Sequence, residues 1–343
     1  MKQVWVWLLC LCLWCCESST PSKVVTPAIY YWKTIFQLSP FEQSVLTQNN
    51  IKKIYVKYFD IDLDERVHKP TFKAPLIPKQ APPKSCEIVP VVYITNRTLQ
   101  QLDIRYLEAF SKKIFQKIQQ INSLWITNQL ISQEVQIDCD WTLSTQKKYF
   151  GVLKFLRKQN PNLSATIRLH QVKYAEKTGV PPVTRGMLMC YNMADWQKNE
   201  TPNSIFDPKV LSQYIGNLSA YPLPLDLALP AYYWTIAYRN KQFLYFLNAT
   251  GTKDFEKLTY FKKSDDKASK QYIALKDTLA WGIQIRKGDV FRVEEVAFDD
   301  LLKGSKLLST RIPNQKLTFA LYHLDQKSLN YYTHEQIKKL YYP

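Results

Sequence analysis

The chain has 343 residues, 46% of them hydrophobic, with 46 basic and 29 acidic side chains and a formal charge of +17. The composition is that of a globular protein, long enough for one large α/β barrel or two ordinary domains, and seven cysteines, four of them within the first 16 residues, exclude dependence on a disulfide framework. The basic excess favours anionic partners, but the lysines are spread through helices and loops with no compact basic motif, so nucleic acid is not expected as a partner.

Lys2 precedes an apolar run at residues 4–16, the length of a signal-peptide core and too short to span a bilayer. Leu13-Trp14-Cys15-Cys16 resembles a loose lipobox, which would make Cys16 the lipidated N-terminus of a membrane-anchored lipoprotein, although the bulky Trp14 leaves ordinary secretion open. Residues 1–16 are then the leader and 17–26 a tether. A first strand is expected at 28–32, and Ser39 with Glu42 forms a capping box that opens a helix. The second strand, 53–60, ends in Asp60, and the proline-rich stretch 66–87 reads as an extended loop. A third strand at 88–95 leads to a long amphipathic helix over 99–125.

The fourth strand, 135–142, reads VQIDCDWT. Its alternation puts Gln136, Asp138, Asp140 and Thr142 on one side and Val135, Ile137, Cys139 and Trp141 on the other. Two carboxylates on one face of a buried strand repel and lose hydration unless a solvated site uses them. A helix over 149–158 follows, then strands at 164–170, 186–191 and 225–231. The span 240–315 is too long for a crossover and reads as an α+β insertion with a hairpin of 278–285 and 290–296 turned at 286–289. An eighth strand at 316–323 and a helix at 333–340 close the chain.

Eight strands separated by crossovers predict an α/β fold, a (β/α)8 TIM barrel of residues 27–239 and 316–343 with the insertion between strands 7 and 8. A doubly wound sheet would need a Gly-rich turn that the eight glycines do not supply. The strand ends then offer Trp32, Asp60, Asp138, Asp140, Trp141, His170, Tyr191, Asn192, Tyr232, Trp234 and His323. Aromatic planes with amides and carboxylates suit a sugar ring and its hydroxyls. No HxH or HExxH spacing supports a metal, and no cofactor is expected.

Asp138-Cys139-Asp140-Trp141 resembles the fourth-strand signature DxxDxDxE of glycoside hydrolase family 18, the chitinase-like barrels, and Met189-Cys190-Tyr191-Asn192 is similar to that family's sixth-strand MxY[DN]. The whole chain is similar to the poorly characterised chitinase-like exported proteins of Bacteroidetes-type bacteria. The resemblance implies a polysaccharide or oligosaccharide partner. It also implies that Asp140, supported by Asp138, positions the substrate's N-acetyl group as nucleophile while Tyr191 and Asn192 hold the sugar. The family's first motif Asp falls at Val135 and its acid Glu at Thr142, which cannot protonate a leaving oxygen. Either Asp60, Asp195 or Asp325 replaces that acid, or the chain binds glycan without cutting it. A basic surface protein that binds an acidic polymer is the further alternative.

Overall fold

The structure is a computed structural model describing residues 23–125, 131–198, 200–265 and 270–343. Eight parallel strands, Val24–Tyr31, Lys53–Asp64, Glu87–Ile94, Val135–Asp138, Leu163–Arg168, Arg185–Met189, Leu225–Pro230 and Lys316–Tyr322, pair in sequence order. The first strand joins both the eighth, with Val24 opposite Lys316, and the second, with Ala28 opposite Lys53, so the sheet closes on itself. The expected (β/α)8 barrel is present. Strands covered on both faces lose water on both, and they read as the near-continuous apolar runs seen here, such as IVPVVYI at 88–94.

The helices pack their apolar stripes against this cylinder. Leu107–Asn122 buries Leu107, Phe110, Ile114, Ile118 and Ile121 at helical spacing, and Gln146–Gln159 buries Tyr149, Val152, Leu153 and Leu156. The Ser39–Glu42 capping box forms, with Ser39 N–H donating to Glu42 Oε2 at 2.9 Å and Glu42 N–H to Ser39 Oγ at 3.2 Å. The long helix expected over 99–125 is interrupted, because the Asp103 carboxylate takes the N–H of Arg105 and starts a new turn. Among the described residues no helix is long and apolar enough to cross a membrane.

Several boundaries differ from expectation. Val24–Thr26, assigned to the tether, already pair in the barrel. The proline-rich stretch holds a strand, Lys69–Lys73, laid antiparallel on Asp60–Asp64. The added sheet begins at Trp234, not 240: Trp234–Arg239 pairs with both Gln242–Asn248 and Val290–Glu294, and Lys270–Ala274 and Phe261–Lys263 complete it. The helix Phe298–Arg311 sends Leu301 and Leu308 into the barrel core, so it belongs to the barrel and not to the 240–315 insertion. The hairpin joins Thr278–Ala280 to Ile283–Ile285 through Trp281 and Gly282, at φ +51° and +75°, the left-handed pair that two-residue turns require.

One buried ion pair ties the added sheet to the barrel. Arg292, fully buried, donates through Nε to Glu294 Oε1 at 2.8 Å and through Nη2 to the Trp196 carbonyl at 3.1 Å. Glu294 Oε2 accepts from Ser204 Oγ at 2.6 Å and from Trp234 Nε1 at 2.8 Å. Removing one partner strands a charge away from water. Glu294→Ala is therefore expected to cost about 3–5 kcal/mol in denaturant unfolding, with faster amide exchange at 196–206 and 234–239.

Candidate functional site

The carboxyl ends of the barrel strands and the start of the added sheet enclose a cleft of about 690 Å³. Its floor is set by inward-pointing residues of the fourth and fifth strands. Tyr30 Oη donates to Gln136 Oε1 at 2.6 Å, and one layer above, Thr166 Oγ1 donates to Asp138 Oδ1 at 2.6 Å. Burial, and then the nearby Asp140 carboxylate, push the Asp138 carboxyl up to about 6. The same two carboxylates add to burial in holding the Tyr93 phenol well above its ordinary value.

Asp140 is held on both oxygens by Arg168, with Nε to Oδ1 at 2.5 Å and Nη2 to Oδ2 at 2.6 Å. Burial is the largest influence and opposes the guanidinium charge, but the hydrogen bond to Asp140 and the attraction of the carboxylates together outweigh it, so the Arg168 pKa is raised. Across the floor stands an aromatic wall. Tyr322 lies 5.3 Å from Tyr191, 5.7 Å from Tyr232 and 5.5 Å from Trp32 between ring centroids. Tyr232 Oη donates to Asn192 Oδ1 at 2.6 Å, and Asn192 takes the left-handed backbone, φ +52°, that asparagine tolerates. His323 lines the cleft beside Asp325, and burial lowers its pKa against the opposing pull of that carboxylate.

The cleft thus brings together Trp32, Asp138, Asp140, Tyr191, Asn192, Tyr232, Trp234 and His323. Three expected members lie elsewhere. Trp141 points outward by strand alternation, stacked on Tyr149 at 5.2 Å, with its Nε1 donating to the Thr178 carbonyl at 3.2 Å. His170 is exposed on the short helix Leu169–Lys173 and lines a separate recess of about 50 Å³ behind Arg168. Asp60 is engaged by Lys57 at 2.9 Å and is not part of the cleft wall. Cys16 and the leader lie outside the described residues.

The fourth strand ends at Asp138, and Thr142 sits exposed in the turn before the next helix. Its carbonyl accepts the N–H groups of Thr145 and Gln146, and its hydroxyl lies 2.9 Å from Ser144 Oγ. Of the proposed replacement acids, only Asp325 lines the cleft; it also caps the helix Gln326–Leu329. Asp195 is taken up by the Gln197 N–H at 3.0 Å on a loop. Sequence reasoning missed Arg168 and Tyr322 as wall residues. The signal for Arg168 was the alternation of Ser164, Thr166 and Arg168, which puts all three on the face that meets Gln136, Asp138 and Asp140.

No protein-family model and no curated protein matches this sequence. Solved structures match it in fold. The spore cortex-lytic enzyme SleL of Bacillus megaterium QM B1551 superposes with a TM-score of 0.55 at 11% identity, over 93% of this chain and 75% of that one. The chitinase of Chromobacterium violaceum ATCC 12472 does so with a TM-score of 0.51 at 10% identity, over 93% and 99%. The shared feature is the (β/α)8 barrel on which those glycosidases are built.

Asp138 binds its proton more tightly folded than unfolded. Between the ordinary carboxylate range and about 6 the folded state holds more protons, so stability falls as pH rises through that window. Asp138→Asn keeps an acceptor for Thr166 and removes the buried charge. It is expected to raise stability at pH 7 by on the order of 2 kcal/mol and to flatten the dependence between about pH 4 and 6, read by urea unfolding across pH.

Proposed function

We propose that this chain is an exported, Cys16-anchored protein that binds an oligosaccharide or polysaccharide on a chitinase-like barrel without hydrolysing it. The observation that carries the reading is the pairing of Asp140 with Arg168. Substrate-assisted hydrolysis needs that carboxylate free to orient an N-acetyl group, and both of its oxygens are engaged by one guanidinium. The general acid is missing as well, since Thr142 is an exposed turn residue; a lost general acid costs about 10²–10⁴ in rate. What supports sugar binding is the wall itself. Trp32, Tyr191, Tyr232 and Trp234 offer apolar faces, while Asn192, Asp138 and His323 offer groups for hydroxyls. The apolar run at 4–16 ending in Cys16 supports export and anchoring.

A second reading, slow hydrolysis, is favoured by Asp138 alone, whose carboxyl at about 6 retains some protonated form near neutrality. Calorimetry with N-acetylated and uronic-acid oligosaccharides, together with a reducing-end assay, separates the two. Micromolar to millimolar binding without new reducing ends is expected, and Trp32→Ala is expected to weaken binding roughly tenfold. Thr142→Glu is expected to leave the protein inactive, because the new carboxyl would lie on the exposed turn. Reducing ends released by the wild type and abolished in Asp138→Asn would replace the binding reading with the hydrolytic one.

A further inference from the structure

The cleft does not end at the barrel mouth. Tyr233 and Lys327 are shared between it and a second recess of about 450 Å³ that runs toward the added sheet. Lys253 and Lys257, one helical turn apart, join Lys327 around this recess. None of the three ammonium groups has an ion-pair or hydrogen-bond partner among the described residues. The two carboxylates that line the same recess are already engaged. Glu295 accepts from Thr252 N–H and Thr252 Oγ1, each at 2.9 Å, and pairs with Lys270 at 2.9 Å, while Asp254 accepts the Gly251 N–H at 2.9 Å. Gly251 permits this packing, since a Cβ there would meet Glu295 Oε1 at 2.5 Å. Tyr233 and Tyr331, with ring centroids 5.5 Å apart, present ring surface beside the lysines.

A neutral sugar has no use for three unpaired lysines around one recess. A carboxylated sugar does, because concave walls focus their field on a bound anion. We infer that the bound glycan is acidic, with a carboxylate-bearing sugar unit seated in the recess of Lys253, Lys257 and Lys327 and the adjoining units in the barrel cleft. This assignment rests on the glycan-binding reading above and adds the substrate class to it.

The test compares two hexasaccharides that share N-acetylglucosamine: the neutral chitin hexamer and the hyaluronan hexamer, which alternates it with glucuronate. Calorimetry on the wild-type chain and on the Lys253→Gln/Lys257→Gln double variant, in about 50 and 200 mM salt, supplies all the readouts. The wild type is expected to prefer the acidic hexamer roughly tenfold, as two or three exposed ion pairs would give, and to lose most of that preference in the higher salt. In the double variant the preference is expected to vanish while affinity for the neutral hexamer is unchanged. Equal binding of both hexamers by the wild type overturns the inference and leaves the glycan-binding reading standing. A preference that survives the double substitution overturns the assignment to this recess. Binding of neither hexamer overturns both readings.

Discussion

In a closed barrel a strand side chain has two directions only, toward the axis or toward the helices, and successive residues must alternate between them. Most of the site follows from that constraint. It stacks Gln136 and Asp138 on the axis beside Ser164, Thr166 and Arg168, and it sends Ile137, Cys139 and Trp141 outward to the helices. The polar ladder along the axis is tolerable because each layer finds a partner: Gln136 has Tyr30 of the first strand, and Asp138 has Thr166 of the adjoining fifth strand. Near the mouth the ladder ends in the Asp140–Arg168 pair.

That pair separates the geometry of the site from the motif it resembles. A carboxylate that must swing toward a reacting group needs a weak or exchangeable partner. A guanidinium fork on both oxygens fixes its orientation as well as its charge. With Thr142 drawn into the turn before Gln146–Gln159, the fourth strand keeps two of the motif's carboxylates and neither the freedom of the one nor the acid beside it.

The barrel was legible because its strands, buried on both faces, read as apolar runs, and because the Ser39–Glu42 box marks a helix start locally. The fourth-strand carboxylates were legible for the same reason, as charges in an apolar run. Trp141 was misplaced by counting it among strand-end aromatics, although its own alternation already sent it outward. His170 was misplaced because the strand ends at Arg168 and the next residues begin a helix, a boundary set by tertiary packing. Arg168 was overlooked because its partner stands 28 residues away on the adjoining strand, and only the inter-strand register reveals the contact. The turn at Trp281 and Gly282 carries none of the Asn-Gly or Asp-Gly signals that announce such hairpins.

The tie between Glu294 and Trp234 has a consequence for affinity. Trp234 is pinned by Glu294 and Tyr232 by Asn192, so both rings have given up their rotamer freedom before any ligand arrives. Ordering a loose side chain at an interface costs about 0.5–1.5 kcal/mol each. A wall already set in place avoids that entropic penalty. Under the glycan-binding reading proposed above, its affinity for a flexible chain of sugars would be limited by the ligand's own conformational entropy more than by the protein's.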